Sequence, residues 1–396
     1  MPTAVDPARV GTARRWAMLA VGVLAQGTSA IAINGPAFLI PTLHRREGLS
    51  LVEASTVAAA PSVGVMLTLI AWGYAVDMLG ERLVLTVGLA GTTVAGIVAT
   101  RADGTLPLAA ALFVAGCFAS STSSASGRVV IGWFPAHRRG LAMGIRQMAQ
   151  PLGVGVAAIS IAVVAEQHGV AAALLVPAIA SAVALVAVLA VVLDPPRPER
   201  SVTATPNPYA DSFLWRVHGV SVLLVIPQFA VWTFGLVWLV DSRGWAAGPA
   251  GTLIAAAQLV GAVGRIAAGH LSDVVGSRMR PLRAVAVAAA VAMALLGLTA
   301  GQGWGVAVLL FVVATTVTVA DNGLAFTAVA ERAGPFWSGR ALGIQNTAQF
   351  LTAAGVAPLA GAAITHWGYA AAFGLTALFP VAAIGLVPTR HERELS

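Results

Sequence analysis

The sequence predicts an all-α integral membrane protein with twelve transmembrane helices in two six-helix, pseudo-symmetric halves. Three observations lead to this fold class: an apolar composition, twelve apolar runs of membrane-spanning length, and a polar phrase that occurs once in each half. The chain of 396 residues is 58% hydrophobic and 10% charged, with a mean hydropathy of +0.85. A soluble protein of this length needs more charge to cover its surface, so lipid is the predicted solvent.

Each predicted span has about 20 apolar residues, enough to cross roughly 30 Å of hydrocarbon as a helix. The twelve runs lie near 16–41, 51–75, 83–100, 106–133, 140–165, 169–193, 216–240, 248–272, 282–300, 304–329, 340–364 and 369–388. A segment rich in proline and charge, 194–215, separates the sixth run from the seventh and reads as a linker. The predicted domains are therefore an N-terminal half, 1–193, the linker, and a C-terminal half, 216–396.

The distribution of arginine predicts the orientation. All 23 basic residues are arginine; sixteen fall in one set of connections, four in the alternate set, and three inside spans. Because positively charged loops stay in the cytoplasm, both termini are predicted to be cytoplasmic in a protein of the cell membrane. The arginines form no continuous basic face, which argues against a nucleic-acid partner. The single Cys117 offers no disulfide or zinc site, and no metal or cofactor is expected.

An internal repeat relates the two halves. Gly73-Tyr-Ala-Val-Asp77-Met-Leu-Gly80-Glu-Arg82 returns as Gly269-His-Leu-Ser-Asp273-Val-Val-Gly276-Ser-Arg278, 196 residues later. A second echo starts at Gly140 in span five and at Gly339 in span eleven, where seven of thirteen positions agree. Duplicated membrane spans with a polar turn in each half are typical of secondary transporters.

On these motifs the chain resembles the major facilitator superfamily over essentially its whole length. The positions that match the superfamily's signature between spans two and three, and its second-half copy, are Gly73, Asp77, Gly80, Arg82, Gly269, Asp273, Gly276 and Arg278. Arg128 with Gly132 resembles the R-x-x-x-G pattern of span four. The resemblance implies two six-helix halves, alternating access, and a latch role for the signature. The alternative for the signature is a tight interhelical turn without a gating role.

Polar groups inside spans are the candidates for a binding site, because each charge there costs about 2.5–3.5 kcal/mol. Arg265 in span eight and Asp321 in span ten, beside Asn322, fall at similar depths by residue count. We expect the two charges within direct or one-water reach, lining a central cavity. They would serve substrate or proton coupling, or form an ion pair that only holds the two spans together.

Weaker candidates are spread over five other spans. Arg128 could pair with Asp77, and Arg146 is either a site residue or an interfacial arginine. The remaining candidates are Gln150, Gln345, Asn346 and Gln349 in spans five and eleven, and Gln26, Asn34, Gln228 and Trp232 in spans one and seven. For an isolated amide or tryptophan the alternative is helix packing.

The leading functional interpretation is a secondary carrier for a small solute. No phosphate-binding loop and no catalytic constellation occurs in the sequence, so neither an ATP-driven pump nor an enzyme is expected. Three embedded arginines against one deep carboxylate favour a small organic anion, with protons as a possible coupling ion. The alternatives are efflux of hydrophobic cations by proton antiport, and a receptor or assembly factor that does not transport. The expected partners are the solute, protons and membrane lipids, and a monomer is expected.

Overall fold

The computed structural model describes residues 10–195 and 207–392, and within these ranges it contains helices and no β-strand. In the first half the α-helices are α1 (Thr12–Asn34), α2 (Ile40–Arg45), α3 (Leu51–Leu79), α4 (Glu81–Ala99), α5 (Thr105–Ala119), α6 (Ser121–Trp133), α7 (Ala136–Gln147) and α8 (Ala149–Val191). In the second half they are α9 (Phe213–Val237), α10 (Ala247–Val275), α11 (Met279–Thr299), α12 (Val306–Val317), α13 (Asp321–Ala333), α14 (Ser338–Thr376) and α15 (Leu378–Leu386). The all-helical fold class predicted from the sequence is confirmed.

Ten segments of the described chain are long and apolar enough to cross a membrane. The two longest, Ala136–Val191 and Ser338–Leu386, each contain a glycine with non-helical backbone: Gly169 (φ 85°) in α8 and Gly368 (φ 81°) in α14. A positive φ interrupts a helix, and glycine adopts it without strain. Each of these segments is therefore two consecutive helices, which agrees with the twelve predicted spans.

Several predicted spans are interrupted, which the apolar pattern did not indicate. Span one contains the 3₁₀ segment Gly35–Leu39, and span twelve breaks at Ala377, between α14 and α15. Span four breaks at Ser120, between α5 and α6, and span five breaks at Met148, between α7 and α8. Span ten breaks over 318–320, so that Asp321 is the first residue of α13. A break in a membrane helix is tolerated where protein surrounds it, and it brings a helix terminus, with its dipole, to the interior.

The chain forms two compact units that follow the predicted halves except for two short segments. Unit 1 consists of Met1–Phe134, Met148–Thr205 and Ala333–Thr347; unit 2 consists of Pro135–Gln147, Pro206–Arg332 and Ala348–Ser396. Unit 1 thus contains the start of predicted span eleven, and unit 2 contains the start of predicted span five. The predicted domain bounds remain a prediction, and residues 196–206 of the predicted linker lie outside the described residues.

Each unit has its own apolar core. In unit 1, α1 and α4 pack on α8, and α3 packs on α5, around Leu39, Val57 and Ile161. In unit 2, α10 packs on α7, and α9, α11 and α12 pack on one another around Trp238 and Phe311, with α15 against α9 and α11.

Candidate functional site

The first signature copy binds the start of α14 within unit 1. Asp77 lies in the last turn of α3 and is 3% exposed. Its Oδ1 accepts hydrogen bonds from Gly339 N (2.8 Å) and Arg128 Nη1 (2.7 Å), and its Oδ2 accepts from Arg340 N and Nε (3.0 Å each). A carboxylate at the C-terminal end of a helix opposes that helix's dipole, and here the N-terminal amides of α14 and two arginines compensate.

Arg128 therefore belongs to this motif in the structure. Its Nε also lies 2.7 Å from Glu81 Oε1, so one buried guanidinium joins two acids of the same turn. The Arg128–Asp77 pair that the sequence suggested is confirmed as a contact, and the contacts of Asp77 with Gly339 and Arg340 were not foreseen.

Glycine and a second carboxylate shape the first turn. A Cβ at Gly73 would overlap the carbonyl oxygen of Gly339, so glycine at both positions allows the two backbones to touch. Gly80 has φ +105°, which ends α3 and starts α4. Arg82 N donates to Asp194 Oδ1 (2.8 Å), and Arg82 Nη2 donates to Leu189 O (2.7 Å), which ties the turn to the end of α8.

The second signature copy binds the second turn of α7 within unit 2. Asp273 Oδ1 accepts from Gly140 N (3.0 Å) and Oδ2 from Leu141 N (2.8 Å). Arg278 donates to Asp273 Oδ1 (2.5 Å) and to Glu331 Oε1 (3.1 Å). Burial lowers the pKa of Arg278, but the hydrogen bonds and charges of Glu331 and Asp273 more than offset this, so its pKa is raised.

The second turn repeats the packing of the first. A Cβ at Gly269 would overlap the carbonyl oxygen of Gly140, and Gly276 adopts the left-handed conformation, with φ +66°. Glu392 accepts hydrogen bonds from Ser277 Oγ (2.5 Å) and Met279 N (3.1 Å), as well as from the backbone of Arg278. In both repeats, therefore, an acid after the last helix caps the signature turn.

The sequence contained a signal for these contacts that we read only as evidence of duplication. The two echoes that establish the repeat, at Gly73 and Gly269 and at Gly140 and Gly339, are the two sides of the observed contacts. Identical glycines at both sides of a crossing are what close backbone approach requires. The capping acids Asp194 and Glu392 fall outside both echoes, so no repeat pattern marked them.

Several amide candidates form a network inside unit 2. Asn322 Nδ2 donates to Gln228 Oε1 (3.1 Å), and Gln349 Nε2 donates to Asn322 Oδ1 (2.9 Å) and to Ser221 Oγ (2.6 Å). These residues come from α9, α13 and α14. The structure therefore brings together three of the candidates and adds Ser221, which the sequence analysis did not single out.

Arg265 and Asp321 belong to the same unit but do not form a direct ion pair. Arg265 is 3% exposed; its Nη1 donates to Gln147 O (2.6 Å), and its Cζ lies 5.9 Å from the centroid of the Trp232 ring. Asp321 is 1% exposed, and neither of its oxygens accepts a hydrogen bond of normal geometry from a described residue. Arg265 Nε is likewise unsatisfied among the described residues. Of the two arrangements expected from the sequence, direct or one-water reach, the direct one is not formed, because Arg265 donates to a backbone carbonyl instead; one-water reach stays a prediction.

Arg146 is a buried neighbour of this region. It is 2% exposed, its Nη1 donates to Gln147 Oε1 (2.9 Å), and its Cζ lies 6.0 Å from the centroid of the Phe326 ring. The interfacial alternative for Arg146 is therefore wrong. Gln147 lies between Arg146 and Arg265, accepting from the first through its side chain and from the second through its backbone.

The remaining candidates lie in unit 1. Gln26 Oε1 accepts from Thr122 Oγ1 (3.3 Å), and Asn34 and Asn346 donate to carbonyls one turn earlier in their own helices. Gln345 is fully buried, and Gln150 is half-buried. These environments resemble helix packing as much as a binding site. Among the described residues there is no cluster of three or more metal-ligating side chains.

The helices, the repeat and the two matched carboxylate contacts define a class: a multi-pass membrane carrier built from two related halves. A family model described as the Major Facilitator Superfamily matches residues 19–357, and the chain belongs to that superfamily. It is accordingly a membrane transporter of the secondary type.

The relatives and structural neighbours are carriers as well. The chain is 46% identical over 389 residues to an uncharacterized MFS-type transporter of Mycobacterium tuberculosis (strain H37Rv), covering 97% of this chain and 87% of the relative. Among solved structures, the proton:xylose symporter XylE has a TM-score of 0.78 at 16% identity, covering 97% of this chain and 98% of that one. FucP of E. coli in the outward conformation has a TM-score of 0.77 at 14% identity, covering 95% of this chain and 99% of that one. The human organic anion transporter MFSD10 has a TM-score of 0.73 at 16% identity, covering 94% of this chain and 99% of that one. Sequence identities this low show a shared fold and nothing more.

Proposed function

We propose that the chain carries a small organic anion together with protons across the cytoplasmic membrane by alternating access, with both termini in the cytoplasm. The observation that carries this proposal is the pair of deeply buried, opposite charges in unit 2, Arg265 and Asp321, that do not satisfy each other. A buried charge without a directly bonded counter-charge is expensive, so each group is expected to bind one during the transport cycle.

Arg265 supplies the anion-binding group. A guanidinium carries five N–H donors in a planar fork that matches a carboxylate, and the only side-chain hydrogen bond of Arg265 within the described chain goes to the neutral oxygen of Gln147. The neighbouring Trp232 ring provides an apolar surface for the body of the solute and a weak attraction for the guanidinium. The amides of Gln228, Asn322 and Gln349 offer hydrogen bonds to further polar groups of the solute.

Asp321 supplies the proton site. Burial disfavours its ionised form, whereas its place at the N-terminus of α13 favours that form, so the carboxyl group has reason to change state. When Asp321 is ionised it is a counter-charge for Arg265. When it is protonated, the anionic solute takes that role, so proton and anion bind together and symport follows.

The two signature aspartates supply the gates. Asp77 holds the first turn of α14 and Asp273 holds the second turn of α7, each through backbone amides that separate when the helix undocks. The arginine bias of the sequence assigns these turns to the cytoplasmic side. We therefore assign both contacts to the latch that keeps that side closed in one state of the cycle.

Efflux of hydrophobic cations by proton antiport is the second candidate. The unsatisfied carboxylate of Asp321 favours it, because a lone buried acid is also what a lipophilic cation requires. Arg265 in the same unit argues against it, because its charge repels a cation. Removing the charge of Arg265 should therefore reduce transport if the solute is an anion and increase it if the solute is a cation.

Transport by purified protein in proteoliposomes tests the proposal. The substrates are a panel of labelled small carboxylates and lipophilic cations, with an imposed proton gradient. Arg265→Gln should abolish anion uptake, whereas Arg265→Lys should retain part of it. Arg243→Gln is a matched control, because Arg243 is a span-end arginine that donates to the carbonyls of Gly303 and Trp304.

Asp321→Asn separates binding from coupling. It should still exchange labelled for unlabelled anion but should no longer accumulate anion against its gradient. Anion transport at the parent rate in Arg265→Gln, or unaltered proton-driven accumulation in Asp321→Asn, contradicts the proposal. Cation efflux that increases in Arg265→Gln supports the second candidate.

A further inference from the structure

An open, basic pocket lies at the beginning of α11 in unit 2, away from the network described above. It has a volume of about 440 Å³ and is lined by Arg280, Arg283, Ala284, Val287 and Thr389. Arg280 and Arg283 are exposed, and neither guanidinium forms a hydrogen bond or an ion pair with a described residue. Two arginines that share one pocket and have no partner in the described part of the chain are suited to binding an anion.

The same face of α11 continues as an exposed apolar stripe. Val287, Val291, Leu295 and Leu298 are 44%, 52%, 42% and 72% exposed. Their spacing of four, four and three residues places them in line with the two arginines at the helix start. A soluble anion would use the basic pocket and leave this stripe unused, whereas an amphiphile uses both.

The first repeat lacks this arrangement. The positions that correspond to Arg280 and Arg283 are Val84 and Val87, at the repeat offset of 196. The single arginine at the start of α4, Arg82, donates to Leu189 O and is therefore engaged within the protein. The paired arginines are thus a property of the second repeat and not of the fold.

We propose that this pocket binds the headgroup of an anionic phospholipid, with the phosphate on Arg280 and Arg283 and an acyl chain along Val287 to Leu298. The arginine bias assigns this end of α11 to the cytoplasmic leaflet, whose anionic lipids attract basic residues near the surface. The proposal is independent of the transported solute, so either can fail without the other.

Bound lipid would also act on the second signature turn. Thr389 lines the pocket, and Glu392, three residues further on, accepts hydrogen bonds from Ser277 and Met279. A headgroup held between Arg280 and Thr389 therefore joins α11 to the segment that caps this turn. Anionic lipid should accordingly stabilise unit 2.

Lipid binding by the full-length protein in neutral detergent tests the site. Native mass spectrometry counts bound phosphatidylglycerol and phosphatidylcholine over a concentration series. We expect phosphatidylglycerol to bind more tightly, and Arg280→Gln with Arg283→Gln to weaken it about 30-fold, from the usual contribution of a basic residue near an anionic headgroup. Arg45→Gln with Arg46→Gln removes the same charge from another exposed pair and should bind like the parent protein.

A steric variant separates the pocket from simple charge attraction. Ala284→Trp fills the pocket and keeps both arginines; because Ala284 is exposed, the chain should fold, and phosphatidylglycerol binding should fall. Equal binding of both lipids, or equal losses in the two double variants, overturns the proposal. Glycerol phosphate that displaces the lipid at comparable concentration indicates a soluble-anion site and also overturns it.

Discussion

Replacing Asp77 by asparagine tests the latch with the least change in shape. The four hydrogen bonds to Asp77 come from Gly339 N, Arg128 Nη1 and two nitrogens of Arg340. The introduced amide keeps one oxygen for the donors now at Oδ1. It presents an NH₂ group where Oδ2 now accepts from Arg340, so those two contacts become donor against donor.

The expected loss follows from these contacts. Hydrogen bonds to charged groups contribute about 1.5–3 kcal/mol each. Removing one charge from a buried ion pair costs about 3–5 kcal/mol. The loss of both contacts at Oδ2 falls in the second range, so Asp77→Asn should weaken the docking of α14 by about 3–5 kcal/mol, or roughly 10²–10⁴-fold in its equilibrium constant.

Thiol labelling measures this docking directly. In a Cys117→Ala background, Ser338→Cys places a probe beside Gly339 at a position that is 1% exposed in the structure. The rate of modification by a polar maleimide should rise by the factor above in Asp77→Asn, while membrane abundance stays nearly unchanged and transport falls. Asp103→Asn, at an exposed loop position, is the matched control. An unchanged labelling rate together with undiminished transport would show that Asp77 has only a local role.

Three further predictions concern the second repeat and the topology. Gly269→Ala should lower thermal stability and transport, because its Cβ would overlap Gly140 O, whereas Gly155→Ala, which meets no neighbouring atom within 4 Å, should do neither. Glu392→Ala should lower the free energy of unfolding by about 0.5–2 kcal/mol in thermal denaturation, the usual cost of losing a helix cap; an unchanged midpoint would contradict this. A reporter that is active only outside the cytoplasm should be silent when fused after Ser396, and a strong signal would reverse the proposed orientation.

The sequence predicted the fold class well because lipid solvation imposes a strong pattern. Spans need long apolar runs, and the duplicated phrase identifies the two halves without any structure. The interruptions at Ser120, Met148 and 318–320 left no such trace, since these positions hold no glycine or proline and their residues are compatible with a continuous membrane helix as well. Asp321 could therefore be placed at depth but not at a helix N-terminus.

The candidate site was predictable in its residue types but not in its pairing. A buried charge demands a partner, and the sequence offers Asp321 as the acid at a depth similar to that of Arg265. In the structure Arg265 instead donates to Gln147 O, next to the break at Met148. Which partner an arginine takes depends on which backbone carbonyls a broken helix exposes, and hydropathy carries no information about that.

The two signature contacts, proposed above as latches, use one electrostatic design with its polarity exchanged. In the first repeat the arginine belongs to span four and the glutamate to the turn, as Arg128 with Glu81; in the second the arginine belongs to the turn and the glutamate to span ten, as Arg278 with Glu331. In both, the same guanidinium also reaches the signature aspartate.

The two repeats therefore share the same arrangement of charges, although the arginine and the glutamate come from different positions in each repeat. One arginine lies between the signature aspartate and a glutamate, which leaves one negative charge in excess at the aspartate. The amides of Gly339, in the first turn of α14, and of Gly140, in the second turn of α7, donate to that aspartate, and each of these helices adds an arginine, Arg340 at Asp77 and Arg139 at Glu331 (3.7 Å). Such a contact is favourable only while the helix is docked, because undocking leaves the excess charge at the buried turn without its compensation. This dependence is what a gate requires, and it explains why the paired glycines, which permit the contact, recur in both halves.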